Sequence, residues 1–321
     1  MTKGRLAGID LAAPRAGTVT AIRAATPVVA PAETTAADWA LLIAPGLIWG
    51  ASFLFIAEGL EAVGPNGVTF TRILVGFLTL SLFPAARRPI LRPDWPATAL
   101  LGVLWMAFPL SMFPYAEQRV TSALTGMLNG ANPLFTAAVA AFLTRRAPSR
   151  GVAVGLAVGL AGTTFIALPS LNQGSNSAIG VLLCLAALMS YGFALNLARP
   201  LQQRNGALGV IWRALGVALI LTAPLGVPEL LRSHWTAAPL LSMLALGALG
   251  TGIAPVLLAV AAGRAGPTRA SATTFLIPVV ALALGVAVRG ERVAALSIVG
   301  GAVCLVGAWL VRRAQLGARP E

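Results

Sequence analysis

The chain of 321 residues is 57% hydrophobic and only 10% charged, against roughly a quarter charged in an ordinary soluble domain. No soluble fold of this length hides so much apolar surface, and the net charge of +13 is scattered through short connections, which excludes the continuous basic face of a nucleic-acid binder. The composition predicts an all-α polytopic membrane protein with the lipid bilayer as solvent. Backbone groups in lipid must pair within helices, and the period-two alternation of a barrel is absent.

Residues 1–37 are rich in Ala, Pro and Thr and lack an apolar run long enough for a signal-peptide core, so a disordered cytoplasmic tail is expected there. Ten apolar stretches follow, each near the ~20 residues that a span requires. They cover 39–59, 66–86, 97–116, 121–143, 151–169, 178–198, 208–228, 238–261, 270–288 and 294–312. With the amino terminus inside, seventeen of the 23 basic residues fall on inner segments. Only Arg119, Arg232, Arg289 and Arg292 fall on outer loops, which predicts a plasma (inner) membrane protein with both termini cytoplasmic.

Along the spans, Trp49 and Ser52 of the first stretch and Tyr191 and Asn196 of the sixth offer apolar walls with polar tips. Tyr115 stands near a span end and serves equally well in an interfacial belt. Arg72 and Arg213 lie about two turns inside the second and seventh spans, from opposite sides. Each would meet an anionic group of a solute or a gate carbonyl, or snorkel to headgroups. Prolines inside spans release the carbonyl four residues earlier: Trp105 for Pro109, Leu110 for Pro114, Asn129 for Pro133, Thr251 for Pro255 and Thr274 for Pro278. Asn129 and Asn132 share a helix face beside Pro133, and Thr273 and Thr274 hold the matching turn beside Pro278. Such groups line a polar cavity or bond neighbouring helices together.

The chain repeats at a spacing of 145 residues. Pro133 falls on Pro278, Arg119 on Arg264, and the run Val154 to Gly162 aligns densely with Val299 to Gly307. A looser alignment sets Arg72 on Arg213 and Trp49 close to Tyr191. Five spans per copy would make the copies point opposite ways, the architecture of proteins that expose a central site alternately to two sides of a bilayer. The expected division is a first repeat at 38–170, a linker loop at 171–177, a second repeat at 178–313 and a cytoplasmic tail at 314–321. Gly151, Gly155 and Gly159 form a small-residue ridge that packs inside the chain or forms the seam of a homodimer.

The ten acidic residues avoid span centres, so no carboxylate relay is visible; Glu58 and Glu117 at outer span ends come nearest. One histidine, His234, and the buried-type Cys184 and Cys304 supply neither metal ligands nor a nucleophile, and no nucleotide-binding loop is present. No catalytic residue, metal or cofactor is therefore expected. A polytopic enzyme acting on lipid or lipid-linked substrate is the alternative, and a scaffold lacks the soluble domain it would use.

Trp49-Gly-Ala-Ser-Phe53, Arg72, Asn132-Pro-Leu-Phe-Thr136, the run Gly-Pro-Thr-Arg-Ala-Ser-Ala-Thr-Thr-Phe-Leu-Ile-Pro from Gly266 to Pro278, Gly285 and Gly290-Glu-Arg292 together resemble the EamA family of the drug/metabolite transporter superfamily over about 39–312. Arg145-Arg146 departs from it, standing where the family has Gly-Glu. The resemblance implies ten transmembrane helices as two inverted five-helix repeats. It also implies export or exchange of a small-molecule substrate such as an amino acid. Site roles then follow for Trp49, Ser52, Arg72, Asn129, Asn132, Tyr191, Asn196, Arg213, Thr273 and Thr274.

Overall fold

The computed structural model describes residues 35–317; residues 1–34 of the predicted amino-terminal tail and residues 318–321 lie outside the described residues. Among the described residues every regular element is helical. In chain order these are α1 (Ala36–Gly59), α2 (Pro65–Ser81), α3 (Arg92–Glu117), α4 (Ser122–Asn129), α5 (Asn132–Thr144), α6 (Arg150–Leu171), α7 (Ser175–Asn205), α8 (Ala207–Leu231), α9 (Ala237–Ala265), α10 (Ser271–Arg289) and α11 (Ala295–Gly317). Eight are long and apolar enough to cross a membrane, or nine if the bent pair α4 and α5 counts as one span. Ile220, Leu225 and Leu241 point outward at 74%, 64% and 64% exposure, a surface that lipid rather than water covers. The chain is a multi-pass membrane protein.

Helix starts follow local chemistry. Thr35 and Asp38 form a reciprocal capping box that opens α1 inside the predicted tail, and Thr121 and Ser149 accept from the backbone N–H groups of Leu124 and Val152 to open α4 and α6. Proline decides two departures from the expected spans. The predicted span 66–86 stops at Ser81, because Pro84 drives Phe83 to extended backbone (φ −90°, ψ 115°). The predicted span 121–143 breaks at Gly130 and Ala131 and bends by 41°, because Pro133 has no N–H to continue the ladder. At the carboxyl end, α11 continues to Gly317, through the first residues of the predicted tail.

Two turns are unusual in being wide. α3 is π-helical over Gly102–Ala107 and α9 over Leu246–Ile253, each just before a proline, Pro109 and Pro255. α2 packs on α8 and on the π turn of α9, while α8 packs on the π turn of α3. α1 packs on α9 and α10, and α7 packs on α3 and α5. α4 lies against α10.

The small-residue ridge of α6 lies on α11 of the same chain. A Cβ at Gly307 would meet the backbone N and Cα of Gly159, and one at Gly162 would meet the backbone of Cys304, so the helix axes approach as closely as main chains allow. Gly307→Leu is expected to cost about 1–3 kcal/mol by overpacking, read as a lower thermal unfolding midpoint in detergent. At the end of α5, Arg145 holds a left-handed conformation (φ 52°), which Gly290 adopts at the end of α10 (φ 63°). A side chain there costs about 1–2 kcal/mol, so Arg145→Gly is expected to raise the same midpoint.

Candidate functional site

The centre of the bundle is organised by carbonyls that proline leaves without a partner. In α9 the π turn shifts the pairing by one residue: Ala254 N–H donates to Leu249 O, so the donor that Pro255 lacks would have served Gly250 rather than the expected Thr251. Trp49 of α1 fills the gap, its Nε1–H donating to Gly250 O at 2.8 Å. In α3 the same shift applies, with Phe108 N–H donating to Val103 O, so Pro109 strands Leu104 rather than the expected Trp105. Ser190 of α7 donates its hydroxyl to Leu104 O at 2.6 Å. Pro114 acts as the i−4 rule expects, and the freed Leu110 carbonyl accepts from the Thr69 hydroxyl of α2 at 3.2 Å.

Arg72 is buried beside this centre, at 8% exposure. Its Nε–H donates to Thr251 Oγ1 at 3.0 Å, and Thr251, on the π turn, donates in turn to Leu246 O at 3.4 Å. Trp49 and Tyr191 pack on the apolar cluster that holds Phe53, Phe113 and Leu246 of the π turn. The Tyr191 ring packs on Phe113 at 6.0 Å, and Phe113 meets Phe53 edge-on at 5.6 Å. Ser52 is buried against Gly250 and spends its hydroxyl on Ile48 O at 3.0 Å. Trp49, Ser52, Arg72 and Tyr191 are thus gathered around the π turn of α9, a patch with one fixed cation and aromatic walls.

The other predicted residues lie elsewhere. Asn129 and Asn132 flank the α4–α5 elbow, and the Oδ1 atom of each is buried without a hydrogen bond. They do not share one helix face as expected, because the helix breaks between them. Thr273 donates to Leu42 O and ties the start of α10 to α1, while Thr274 bonds only within its own turn, to Ser271 O at 2.9 Å. The Asn196 amide donates to Thr136 O at 3.0 Å and Gly192 O at 2.8 Å, joining α7 to α5. Arg213 does not mirror Arg72: its guanidinium sits over Trp95 and Trp212 at 5.6 and 5.4 Å and donates to Gly209 O at 3.0 Å. Tyr115 is not a free belt residue, since its hydroxyl accepts from Asn66 Nδ2 at 2.8 Å.

Carboxylates lace one end of the bundle. Arg289, closing α10, pairs with Glu58 in the last turn of α1 and, at 3.1 Å, with Glu61 in the turn that follows it. Glu291 accepts from Ser122 N, Ser122 Oγ and Ala123 N at 3.1, 2.8 and 2.8 Å, which places a negative charge on the positive end of α4. Glu229 does the same for α2, accepting from Gly67 N at 2.8 Å and Asn66 Nδ2 at 2.6 Å. A cavity of about 320 Å³ opens at this end, bordered by Glu117, Arg119, Gln173, Arg292 and Ser297. At the opposite end, Asp94 pairs with Arg204 at 2.7 Å and Asp38 with Arg264 at 2.8 Å. There a cavity of about 570 Å³ is lined by Trp105, Leu195, Gln202, Ser271 and Gln315.

Sequence reasoning missed Ser190, Leu104 and the bond from Arg72 to the Thr251 hydroxyl. The prolines were the available signal, but at Pro109 and Pro255 the π register moved the stranded carbonyl by one position. The sequence places Glu117 at a span end, and α3 does end there, but nothing in it marks that both carboxylate oxygens are buried.

The sequence matches the EamA-like transporter family over residues 39–168 and 178–313. It is 30% identical over 292 residues to a protein named a probable terminal-alkyne amino-acid exporter of Streptantibioticus cattleyicolor, covering 89% of this chain and 96% of that one. The inner membrane transporter YedA of Escherichia coli K12 is 31% identical over 285 residues, covering 83% and 89%. A protein named a probable amino-acid metabolite efflux pump of Salmonella typhimurium is 27% identical over 281 residues, covering 82% and 91%. One crystal structure superposes with a TM-score of 0.59 at 18% identity, over 90% of this chain and 100% of that chain, a likeness of fold alone. These relatives are named for transport and not for catalysis, and this chain, a multi-pass membrane transporter of small molecules rather than an enzyme, belongs to the EamA-like transporter family.

Proposed function

We propose that the chain is a secondary transporter of the plasma (inner) membrane that exports or exchanges a small metabolite of the amino-acid class by alternating access. Ten helices in two inverted five-helix repeats would enclose its site. The observation that carries this reading is a pair of related bonds: Trp49 of α1 closes on Gly250 in the π turn of α9, and Ser190 of α7 closes on Leu104 in the π turn of α3. An exchange of the first five spans with the last five converts one bond into the other. The same exchange converts α2 on the α9 π turn into α8 on the α3 π turn. It also leaves the α2–α8 and α6–α11 pairs standing as self-related contacts. The count agrees when the bent α4–α5 pair is one span and the 17 residues of α2, rising about 26 Å, are another.

The basic residues on inner segments support cytoplasmic termini. On that orientation the carboxylate-laced end faces outward and the cavity at Gln202 and Gln315 faces the cytoplasm, an arrangement that fits entry from inside. Both amino-acid exporters among the relatives support the cargo class. Arg72, with its hydrogen bond running through Nε, would offer the outer fork of its guanidinium to a carboxylate, with Trp49 and Tyr191 as walls. Asn129 and Asn132, with unpartnered oxygens at the elbow, would supply polar contacts. Asn196 and Thr273 would hold the surrounding helices, Thr274 its own turn, and Arg213 the inner end of α8.

Purified protein in liposomes should move radiolabelled L-amino acids. Arg72→Gln, which removes a charged contact of about 1.5–3 kcal/mol, is expected to lower flux roughly tenfold to hundredfold with unfolding temperature preserved. Asn132→Ala is expected to slow the same flux by about tenfold or less, as for loss of one neutral hydrogen bond. Full flux in both variants would remove the site assignment.

A further inference from the structure

Glu117 ends α3, and the functions assigned above make no use of its carboxylate. Both oxygens are out of contact with solvent and neither accepts a hydrogen bond. Its neighbours are treated differently: Glu291 holds three donors, Glu229 two, and Glu58 pairs with Arg289. A carboxylate without donors or water is costly to keep ionised, whereas the neutral acid needs neither donor nor counter-ion.

The charged groups around it do not close on it. The charges set around it are Arg72 from α2, Arg289 at the end of α10 and Glu291 on the following loop. Cys184 of α7 is a further titratable neighbour. Arg119 turns its guanidinium to the Tyr115 carbonyl at 2.5 Å, and Arg292 borders the adjoining cavity. Glu117 therefore stands between two environments. One is the open cavity of about 320 Å³ whose wall it shares, and the other is the dry core in which Arg72 is buried.

We propose that Glu117 is a proton-binding site that couples the transport cycle to a proton gradient, an inference that rests on the transporter reading above. One proton passes from water at the carboxylate-laced end to a Glu117 oxygen, forming the O–H bond as water withdraws. That bond breaks, and the proton passes to water on the other side, when the group is exposed there. No electron changes hands. Because the anion would pair with Arg72, gain and loss of the proton changes the charge that a solute meets at the same guanidinium.

The test uses full-length protein in two measurements. Infrared difference spectra taken across a pH titration should show the carbonyl stretch of a protonated carboxylic acid that vanishes as pH rises, is absent in Glu117→Gln and is displaced in Glu117→Asp. In liposomes loaded with a mixture of L-amino acids, a gradient of one pH unit should support accumulation up to about tenfold at one proton per solute. Glu117→Gln should abolish that accumulation while counterflow exchange persists, and Glu117→Asp should restore it with a shifted pH profile. A band that survives in Glu117→Gln and stays unmoved in Glu117→Asp, or gradient-driven accumulation by Glu117→Gln, overturns the proposal. Failure of the wild type to move any amino acid would instead strike the cargo reading, while the infrared band would still decide whether Glu117 holds a proton.

Discussion

A carbonyl that proline leaves without its donor, deep in a bundle that water does not fill, must be satisfied by another helix. The architecture follows from that requirement at three places. Trp49 reaches Gly250 across 201 positions of sequence, Ser190 reaches Leu104, and Thr69 reaches Leu110. Each bond is modest alone, yet each specifies which helix lies against which and at what rotation. Arg72 uses the same region, since the wide turn that strands Gly250 also presents the Thr251 hydroxyl to its guanidinium. Proline, π turn and buried cation are therefore one unit rather than three separate features.

The two ends of the bundle are held by different chemistry. At one end, Glu291 and Glu229 accept from first-turn N–H groups of α4 and α2 that have no partner within their helices, and Arg289 bridges to Glu58. This is a helix-terminus interaction strengthened by partial burial. The position related to Glu291 by the 145-residue repeat is Arg146, an exposed cation that cannot serve a helix amino terminus. Arg145-Arg146 thus places a side chain in a left-handed turn, and a cation at the position that the 145-residue spacing sets against Glu291. The end that keeps its acid is closely laced, and the larger cavity lies at the other.

Much of this was legible in one dimension. Arg72 announced itself because a charge inside an apolar span has few tolerable uses, and the α6 glycine ridge because glycine every fourth residue makes a groove. The prolines marked where carbonyls would be stranded, and at Pro114 the marked carbonyl, Leu110, is the one that a neighbour takes up. At Pro109 and Pro255 the marking was one residue off, because a π turn is a response to crowding that proline spacing does not encode. Arg213 looked equivalent to Arg72 by alignment, but two tryptophans, one of them on α3, claim it. Glu117 was placed at an outer span end, where it does end α3, but hydropathy measures depth along a helix and is blind to what covers the two carboxylate oxygens there.

By itself the sequence determined the solvent, the helical class, the approximate spans and the places where helices must yield, since these depend on side-chain transfer energies and on the covalent geometry of proline and glycine, which act locally. Only the tertiary structure decided which partner each stranded group finds, where the long helices widen instead of kink, and which charges are shut away from water. Those outcomes depend on atoms brought together from helices 41 to 201 positions apart, and no local preference fixes the rotation at which two such helices meet.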